Sequence, residues 1–471
     1  MVSLSETLES NPRITFLRKD GHLDNPACVL LWVQRTKRAH DNPARNVAIE
    51  LANDLDLPLI AVFCLADDYP EATLRSYQFM TEGLDELADA FADQHIGWIL
   101  ETGNPAERIS AVADSERAAI VVTDLDPMHS GRRWRNELTE RLDVPFIQVD
   151  SDVVVPTSFL EKQEYAARTI RPKLQRHYEQ FLSKEPEQRV RHTSHLRRGG
   201  SAVDAVAGLK IDMSVPPAPD LKGGYRQASK RLDLFIEQRF GVYDKARQRA
   251  DIDAGTGLSP WLHFGQIGPV EIALAAIDTK GSQAAIDSFL DELIVQRELA
   301  INFTMFQPEY DKFSGLPEWA RESLARHEDD PRPETYSRSQ FEEAKTHDPL
   351  WNAAQRQMVQ EGWMPNRLRM YWAKQILLWS SSAQRAWSTA IYLNNRYFVD
   401  GRDANSFTNV GWCIGGLHDR PFGPERPITG LVRPMGMGAM KRTFDVQAYI
   451  RKIDERWGNS SNQLPLFKEN T

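Results

Sequence analysis

Five short apolar runs alternate with helical patterns over the first third of the chain, and this alternation constrains the fold more than any other feature. The runs are candidate strands because they are short, rich in β-branched residues and bounded by turn residues. They lie at Val29–Val33, Leu59–Phe63, Gly97–Leu100, Ala119–Val122 and Pro145–Gln148. Helical patterns fall between them, near 42–54, 73–94, 105–114 and 131–142. Strict alternation predicts a parallel sheet with helices on both faces, so residues 27–150 are predicted to form a Rossmann-like α/β domain.

In such a sheet, ligands bind beyond the carboxyl ends of the strands. The side chains expected at that edge are Trp32, Gln34, Arg35, Thr123 and Asp124. No GxGxxG and no GxxxxGK[ST] follows a predicted strand, so the sequence supports neither a dinucleotide fingerprint nor a P-loop.

The flanking segments divide the remainder of the chain. Residues 1–26 are polar and are predicted to form a surface arm. A linker over 151–222, helical near 174–183, ends in the proline cluster Val215–Pro219. Residues 223–460 carry the helical period and few strand signals, which predicts an all-α domain, and 461–471 form a tail. Within that domain helices are predicted at 270–277, 286–303, 336–344, 348–361, 368–379, 383–393 and 446–457.

Composition excludes several classes of protein. Hydrophobic residues make up 41% and charged residues 26%, which is typical of a globular protein, and no apolar run is long enough to span a membrane. The first residues lack the pattern of a secretory signal. The three cysteines, Cys28, Cys64 and Cys413, have neither disulfide-framework nor zinc-site spacing, so we expect a reducing, cytoplasmic setting and no metal.

The net charge of −9 argues against indiscriminate nucleic-acid binding, but charge is unevenly distributed. Residues 366–442 hold nine Arg and two Lys against four acidic residues, a net charge of +7. A solvated face is the ordinary explanation of such an excess. Arginine interleaved with tryptophan, phenylalanine and glycine is also the mixture expected where a protein meets phosphates.

Tryptophan, asparagine, arginine and glycine are unusually dense between Gly362 and Gly416. Trp372 and Trp379 are seven residues apart, which puts them on one face of the predicted helix. Stacked indoles suit electron hopping because tryptophan is oxidisable. An aromatic ridge in the core explains the same spacing.

Several motifs in and beyond this region resemble those of class II DNA photolyases, within the photolyase and cryptochrome family. They are Asp41–Ala44, Val122–Asp124, Gln163–Lys173, Gly257–Gln266, Phe289–Leu299, Gly362–Met370, Ile391–Tyr397, Asp400–Phe407 and Gly411–Gly423. The matches extend over nearly the whole chain.

The resemblance implies that the helical domain binds FAD in a bent form. The implied phosphate-side residues are Tyr243 and the turn Thr256-Gly257-Leu258-Ser259, although that turn alone fits a capping box or a tight turn before the next helix equally well. Arg369 and Asp400 would lie beside the isoalloxazine, where a structural ion pair is the plainer explanation. Asn394 would face flavin N5, as an acceptor or a donor. Gln266 and Asp403 complete the implied cofactor set.

The family also implies a substrate pocket and an electron path. Glu292, Asn366, Met370 and Trp412 would contact a pyrimidine dimer flipped out of DNA, with Glu292 buried and protonated or, alternatively, paired with a buried arginine. The implied path runs from Trp372, innermost, through Trp351 to Trp379 near solvent. Two positions, Gln296 and Pro434, depart from the family pattern, which puts details of DNA contact in question.

The resemblance thus predicts a carbon–carbon lyase, a monomer that uses reduced FAD and light to split cyclobutane pyrimidine dimers in double-stranded DNA. A blue-light photoreceptor of the cryptochrome type, without repair, is the alternative. An electron-transfer flavoprotein subunit would share the α/β half but would leave the arginine and tryptophan cluster unexplained. An additional antenna chromophore, a deazaflavin or a folate, is compatible with the first domain.

Overall fold

The first domain is built on a single sheet. The computed structural model describes residues 6–184, 186–279 and 281–458. Its strands are β1 (Ile14–Arg18), β2 (Cys28–Trp32), β3 (Leu59–Leu65), β4 (Gly97–Thr102), β5 (Ala118–Asp124), β6 (Phe146–Val149) and β7 (Arg197–Arg198). They lie in the order β1-β6-β5-β2-β3-β4-β7, and every neighbouring pair is parallel except β1 and β6. The predicted, mostly parallel α/β sheet is therefore confirmed.

Both edge strands come from segments that the sequence assigned elsewhere. Residues 14–18, predicted as part of a polar arm, pair antiparallel with β6, because Ile14 and Phe16 pack on the sheet core. Residues 197–198, predicted as linker, pair with β4. The sheet thus recruits chain from both sides of the predicted domain, and residues 461–471, predicted as a tail, lie outside the described residues.

Helices cover both faces of the sheet. They are α1 (Glu6–Ser10), α2 (Pro43–Asp54), α3 (Leu74–Asp93), α4 (Pro105–Ser115) and α5 (His129–Arg141). The connector contains α6 (Ala167–Gln175), α7 (Tyr178–Phe181) and α8 (Ala202–Ala205). The single connector helix predicted near 174–183 is wrong: α6 begins earlier, and the chain turns at Arg176 before α7.

The second domain is helical, as predicted. Its helices are α9 (Tyr225–Gln238), α10 (Tyr243–Ala246), α11 (Ser259–His263), α12 (Pro269–Ile277), α13 (Gln283–Leu290), α14 (Arg297–Phe306), α15 (Glu318–Arg326), α16 (Arg338–Glu342), α17 (Pro349–Glu361), α18 (Asn366–Trp379), α19 (Ala383–Tyr397), α20 (Ala404–Gly415), α21 (Met437–Thr443) and α22 (Val446–Trp457). The helix predicted at 286–303 is divided by a π-helical segment, Asp291–Gln296. None of the helices in the described ranges combines the length and apolarity needed to cross a bilayer.

A buried arginine of the first domain holds two helices of the second. Arg75, on α3, donates to the carbonyls of Met358 and Val359 near the end of α17. It also donates to the carbonyl of Tyr397 at the end of α19 and to that of Pro216 in the connector. One guanidinium therefore satisfies carbonyls from three segments.

Candidate functional site

A cavity of about 520 Å³ opens within the helical domain. Its walls come from α11, from the π-helical segment and from α18, α19 and α20. Most of the residues named from the family pattern line it: Tyr243, Thr256, Gly257, Leu258, Ser259, Glu292, Asn366, Arg369, Met370, Trp372, Asn394, Asp400 and Asp403. The volume lies within the roughly 300–1,000 Å³ that ligand cavities occupy.

One end of the cavity is the turn before α11. Gly257 has φ +61°, and a Cβ there would meet Arg231 Nη2 at 2.0 Å, so a larger residue would collide with that guanidinium. Arg231 Nε donates to the Thr256 carbonyl at 2.7 Å. The Thr256 hydroxyl accepts from Leu258 N at 3.2 Å, which is a tight-turn contact, and Leu258, the N-cap residue of α11, makes no side-chain cap hydrogen bond. A cation, a hydroxyl and an uncluttered backbone together suit a phosphate group.

Arg369 and Asp400 form a bidentate ion pair on another wall. Both guanidinium nitrogens, Nη1 and Nη2, lie 2.9 Å from the two carboxylate oxygens. The guanidinium also lies 3.9 Å from the centroid of the Phe398 ring, and its Nε donates to the Met364 carbonyl. Three contacts fix its plane, so the cavity contains a pre-oriented cation whose charge is locally balanced.

Asp403 caps α20 and links the domains. Its carboxylate accepts from Arg35 Nη2 at 2.7 Å and lies 3.6 Å from His263 Nδ1. Burial alone would raise its pKa, but the Arg35 guanidinium holds the pKa of the Asp403 carboxyl well below its usual range. Asp403 therefore remains an anion at the cavity wall.

Three tryptophans form a continuous line leading from the cavity. Trp372 lines the cavity, and its ring stacks on that of Trp351 with centroids 6.4 Å apart. Trp351 in turn lies 6.1 Å from Trp379 in an edge-to-face arrangement. Exposure is 1% for Trp372, 0% for Trp351 and 8% for Trp379. The family-derived order matches this spatial order, whereas helix spacing had placed only Trp372 and Trp379 together.

Glu292 lines the cavity but is not the buried side chain expected from its apolar neighbours. Its side chain is 33% exposed and accepts from Arg247 Nη1 at 2.5 Å. Glu292 lies on the π-helical segment, in which its neighbours Leu293, Ile294 and Val295 are buried. Gln296 faces the same cavity and donates to Asp291. The arginine-paired alternative is the arrangement found, although Arg247 is itself only partly buried.

Two residues implied by the resemblance lie away from the cavity. Gln266 is fully buried, accepts from Gly224 N at 2.9 Å and donates to the Phe79 carbonyl at 3.2 Å, so it joins the two domains and does not line the cofactor cavity. Trp412 is half-buried, and its ring lies 4.6 Å from Lys374 Nζ. That cation, on α18, holds the indole against α18, outside the cavity lining.

At the carboxyl edge of the sheet, the backbone N–H groups that could bind an anionic ligand are occupied by a carboxylate of the chain itself. The backbone N–H groups of Gln34, Arg35 and Thr36 donate to the Asp124 carboxylate at 2.8, 2.6 and 2.7 Å. Trp32 is buried, and Thr123 Oγ1 donates to its carbonyl at 2.9 Å. A cavity of about 100 Å³ remains beside Gln34 and Arg35. It is smaller than the roughly 300 Å³ at which ligand pockets begin.

Residues 366–442 carry a net charge of +7 in the sequence, but less of that positive charge reaches the surface, because several of the arginines are paired or buried. Arg369 pairs with Asp400, Arg396 with Asp212, and Arg433 with Asp419. Arg402 is buried and donates to backbone carbonyls. The exposed cations of this window are Arg385, Arg420, Lys441 and Arg442. A phosphate contact would use these, and Pro434 follows an arginine that is already paired.

Sequence reasoning missed several cavity residues, namely Arg231, Arg247, His263, Trp363, Asn405 and Asn409. Arg231 and Arg247 had no motif to mark them. Asn405 lies four residues before Asn409 on α20, and this helical spacing was a usable signal.

Comparison with known proteins shows to which family the chain belongs. The family model for DNA photolyase matches residues 29–191, and that for the FAD binding domain of DNA photolyase matches residues 289–453. The deoxyribodipyrimidine photo-lyase of Methanothermobacter thermautotrophicus is 38% identical over 427 residues, which cover 90% of this chain and 94% of the relative. The chain belongs to the DNA photolyase family. Residues 289–453 of its helical domain match the FAD binding domain of DNA photolyase, and they form part of the wall of the cavity described above.

Solved structures of the photolyase and cryptochrome family share the fold. The class III photolyase of Agrobacterium tumefaciens superposes with a TM-score of 0.73 at 19% identity, covering 92% of this chain and 87% of that one. The cryptochrome of Synechocystis superposes with a TM-score of 0.69 at 16% identity, covering 93% and 95%. At these identities the likeness concerns the fold alone.

Proposed function

We propose that this protein is a class II photolyase that repairs cyclobutane pyrimidine dimers in DNA by light-driven electron transfer from FAD in its reduced state. One observation carries the proposal. Glu292, Asn366 and Met370 share a single cavity with Asn394, Arg369 and Asp400, so dimer-facing and flavin-facing groups border the same space. A flavin and a pyrimidine dimer held in that cavity would not need to move closer together before an electron passes between them.

The donor set of the cavity fits a flavin dinucleotide. The Thr256 to Ser259 turn, with Arg231 behind it, would hold the phosphates, and the Arg369 cation would stabilise negative charge on the ring. When bound and reduced, the flavin would supply the electron that opens the dimer under blue light.

The protein groups would bind and orient the pyrimidine dimer. Met370 offers a polarisable thioether and Asn366 an exposed amide at the cavity, both suited to a flipped pyrimidine pair. Glu292 and Arg247 form a hydrogen-bonded pair at the same wall, which can meet the pyrimidine carbonyls with a donor. The tryptophan line from Trp372 to Trp379 would conduct electrons inward to restore the reduced cofactor.

Repair of an oligonucleotide with one defined cyclobutane dimer tests this proposal. We expect loss of the dimer under blue light, no loss in the dark, and no repair of a (6-4) photoproduct in the same sequence. Light-induced spectral change of bound flavin without repair would instead favour the cryptochrome alternative. Absence of flavin after reconstitution would contradict both. The absorption spectrum of the purified protein separately tests for an antenna chromophore.

A further inference from the structure

A hydrogen-bonded chain connects the cavity residue Asn394 with Glu71, which lies at the surface of the α/β domain. Asn394 Nδ2 donates to Asn395 Oδ1 at 3.0 Å, and Asn395 Nδ2 donates to Glu71 Oε2 at 2.5 Å. Both asparagines are buried, at 5% and 2% exposure. The chain therefore crosses from one domain to the other and ends inside the cofactor cavity.

The two ends of this chain fix how the Asn395 amide is oriented. The backbone N–H of Arg402 donates to Asn395 Oδ1 at 2.9 Å, and a backbone N–H can only donate. The Glu71 carboxylate, as an anion, can only accept, so it requires the NH2 group of Asn395. Turning the amide over would set two donors against each other at one end and two acceptors at the other.

The orientation of Asn395 then decides that of Asn394. Because Asn395 presents its oxygen, Asn394 must present its NH2 group to it, which leaves Asn394 Oδ1 for the cavity. Within the described part of the chain, no group donates to Asn394 Oδ1. Asn394 is thus set as a hydrogen-bond acceptor towards whatever the cavity binds.

Both residues that orient Asn395 have unusual backbone conformations. Glu71 has φ +58° and Arg402 has φ +61°, in the left-handed region that residues with a Cβ seldom adopt. Gly401 lies against the same asparagines, and a Cβ there would meet the Asn394 carbonyl oxygen at 2.7 Å. Strained backbone concentrated around one amide points to a demand on the geometry of that amide.

We infer that Glu71 is a positioning residue that, through Asn395, locks Asn394 as an acceptor for a flavin N5–H, so that the site favours reduced over oxidised FAD. The inference rests on the proposed function, in which Asn394 faces N5. N5 carries a proton in the reduced flavin and only a lone pair in the oxidised flavin. An Asn394 oxygen locked towards N5 therefore accepts a hydrogen bond from the reduced flavin and is repelled by the N5 lone pair of the oxidised flavin.

The test is the midpoint potential of bound FAD in three Glu71 variants. Glu71→Gly keeps the positive φ and removes the carboxylate, and Glu71→Asn also suits that backbone but has a side chain one methylene shorter. Glu71→Gln keeps an oxygen that can accept from Asn395. We expect the preference for reduced FAD to fall about tenfold in the Gly and Asn variants, a decrease of about 30 mV for a two-electron couple, with the Gln variant near the wild type.

The sign of the change in midpoint potential distinguishes the proposed orientation of Asn394 by hydrogen bonds from a simple effect of the Glu71 charge. If Glu71 acted only through its negative charge, all three variants would favour the anionic reduced flavin and raise the potential. Raised potentials, or potentials equal to that of the wild type in the Gly and Asn variants, would overturn the inference. Failure of the wild-type protein to bind FAD or to repair dimers would count against the proposed function instead. Circular dichroism and flavin stoichiometry confirm that the compared variants are folded and loaded.

Discussion

Trp351 and Trp372 lie parallel, at an interplanar angle of 9°, although they are on different helices and 21 positions apart in the sequence. The Trp351 indole N–H donates to the backbone carbonyl of Trp372, and the Trp372 indole N–H donates to Gln355 Oε1. Both rings are therefore held by polar contacts as well as by packing. Fixed ring-to-ring geometry is what repeated electron transfer between the two indoles would require.

Replacing the innermost ring should interrupt this path. We expect Trp372→Phe to abolish photoreduction of oxidised FAD while chemically reduced enzyme still repairs dimers, because the path charges the cofactor without touching the substrate. Flavin absorbance during illumination measures the first effect and dimer loss the second. Trp387→Phe is the matched control, since Trp387 is equally buried and has no ring contact with the line in the described structure. Unchanged photoreduction in Trp372→Phe would show that another donor operates.

Replacing either member of the Arg369–Asp400 pair should shift the midpoint potential of the flavin, in opposite directions for the two residues. Arg369→Gln removes a cation beside the flavin and should lower its midpoint potential, whereas Asp400→Asn leaves that cation unbalanced and should raise it. We expect shifts of about 30–60 mV, measured by redox titration of the bound flavin. Shifts of the same sign would indicate that the pair acts only by supporting the local structure.

Glu292 should matter to repair and not to the flavin. We expect Glu292→Ala to lower the repair quantum yield at saturating damaged DNA by about three- to tenfold, the value of one hydrogen bond, with Glu292→Gln closer to the wild type. Asp287→Ala is a suitable control because Asp287, on the preceding helix α13, accepts from Gln283 Nε2 and does not line the cavity. Equal yields in Glu292→Ala and the wild type would leave Glu292 a structural residue.

The buried Lys374 should make stability depend on pH. Burial lowers its pKa from 10.5 to about 8, so between those values the unfolded chain binds the proton more tightly and the free energy of unfolding rises with pH. Below pH 8 the native state carries the full penalty, partly offset by the Trp412 ring. Lys374→Met should therefore add about 1–3 kcal/mol at pH 7, and the gain should disappear above pH 10.5.

Urea denaturation at pH 7, 9 and 10.5 measures that gain. Lys441→Met, at an exposed lysine, should leave the stability within about 0.5 kcal/mol of the wild type at each pH. A Lys374→Met protein that is less stable than the wild type at pH 7 would mean that the ammonium contributes more through Trp412 than it loses by burial.

The sequence predicted those features of the fold that depend on interactions between neighbouring residues, such as helix ends and buried strands. The bounds of α17 follow from Asp348, whose side chain accepts from two N–H groups of the first turn, and from Gly362, whose positive φ ends the helix. The strands β2 to β6 followed from apolar runs. These signals act within a few residues, so a single sequence contains them.

Features decided by distant partners could not be predicted in the same way. The strand β7 has only two residues and exists because β4 offers an edge. The environment of Glu292 depends on Arg247, 45 positions earlier, and that of Gln266 on Phe79, 187 positions earlier. Motif resemblance named both residues, but only the assembled fold shows that one lines the cavity and the other joins the domains.

Arg75 adds further partners at the carboxyl-terminal ends of α17 and α19, whose own caps are the Gly362 N–H to the Met358 carbonyl and the Phe398 N–H to the Asn394 carbonyl. A cation from α3 completes both helix ends, where exposed carbonyls and the helix dipoles favour positive charge. The helical domain of this chain therefore receives part of the hydrogen bonding at its helix ends from the domain before it. Excised by itself, it would lose this cation at the ends of two helices, one of which ends three residues after Asn394.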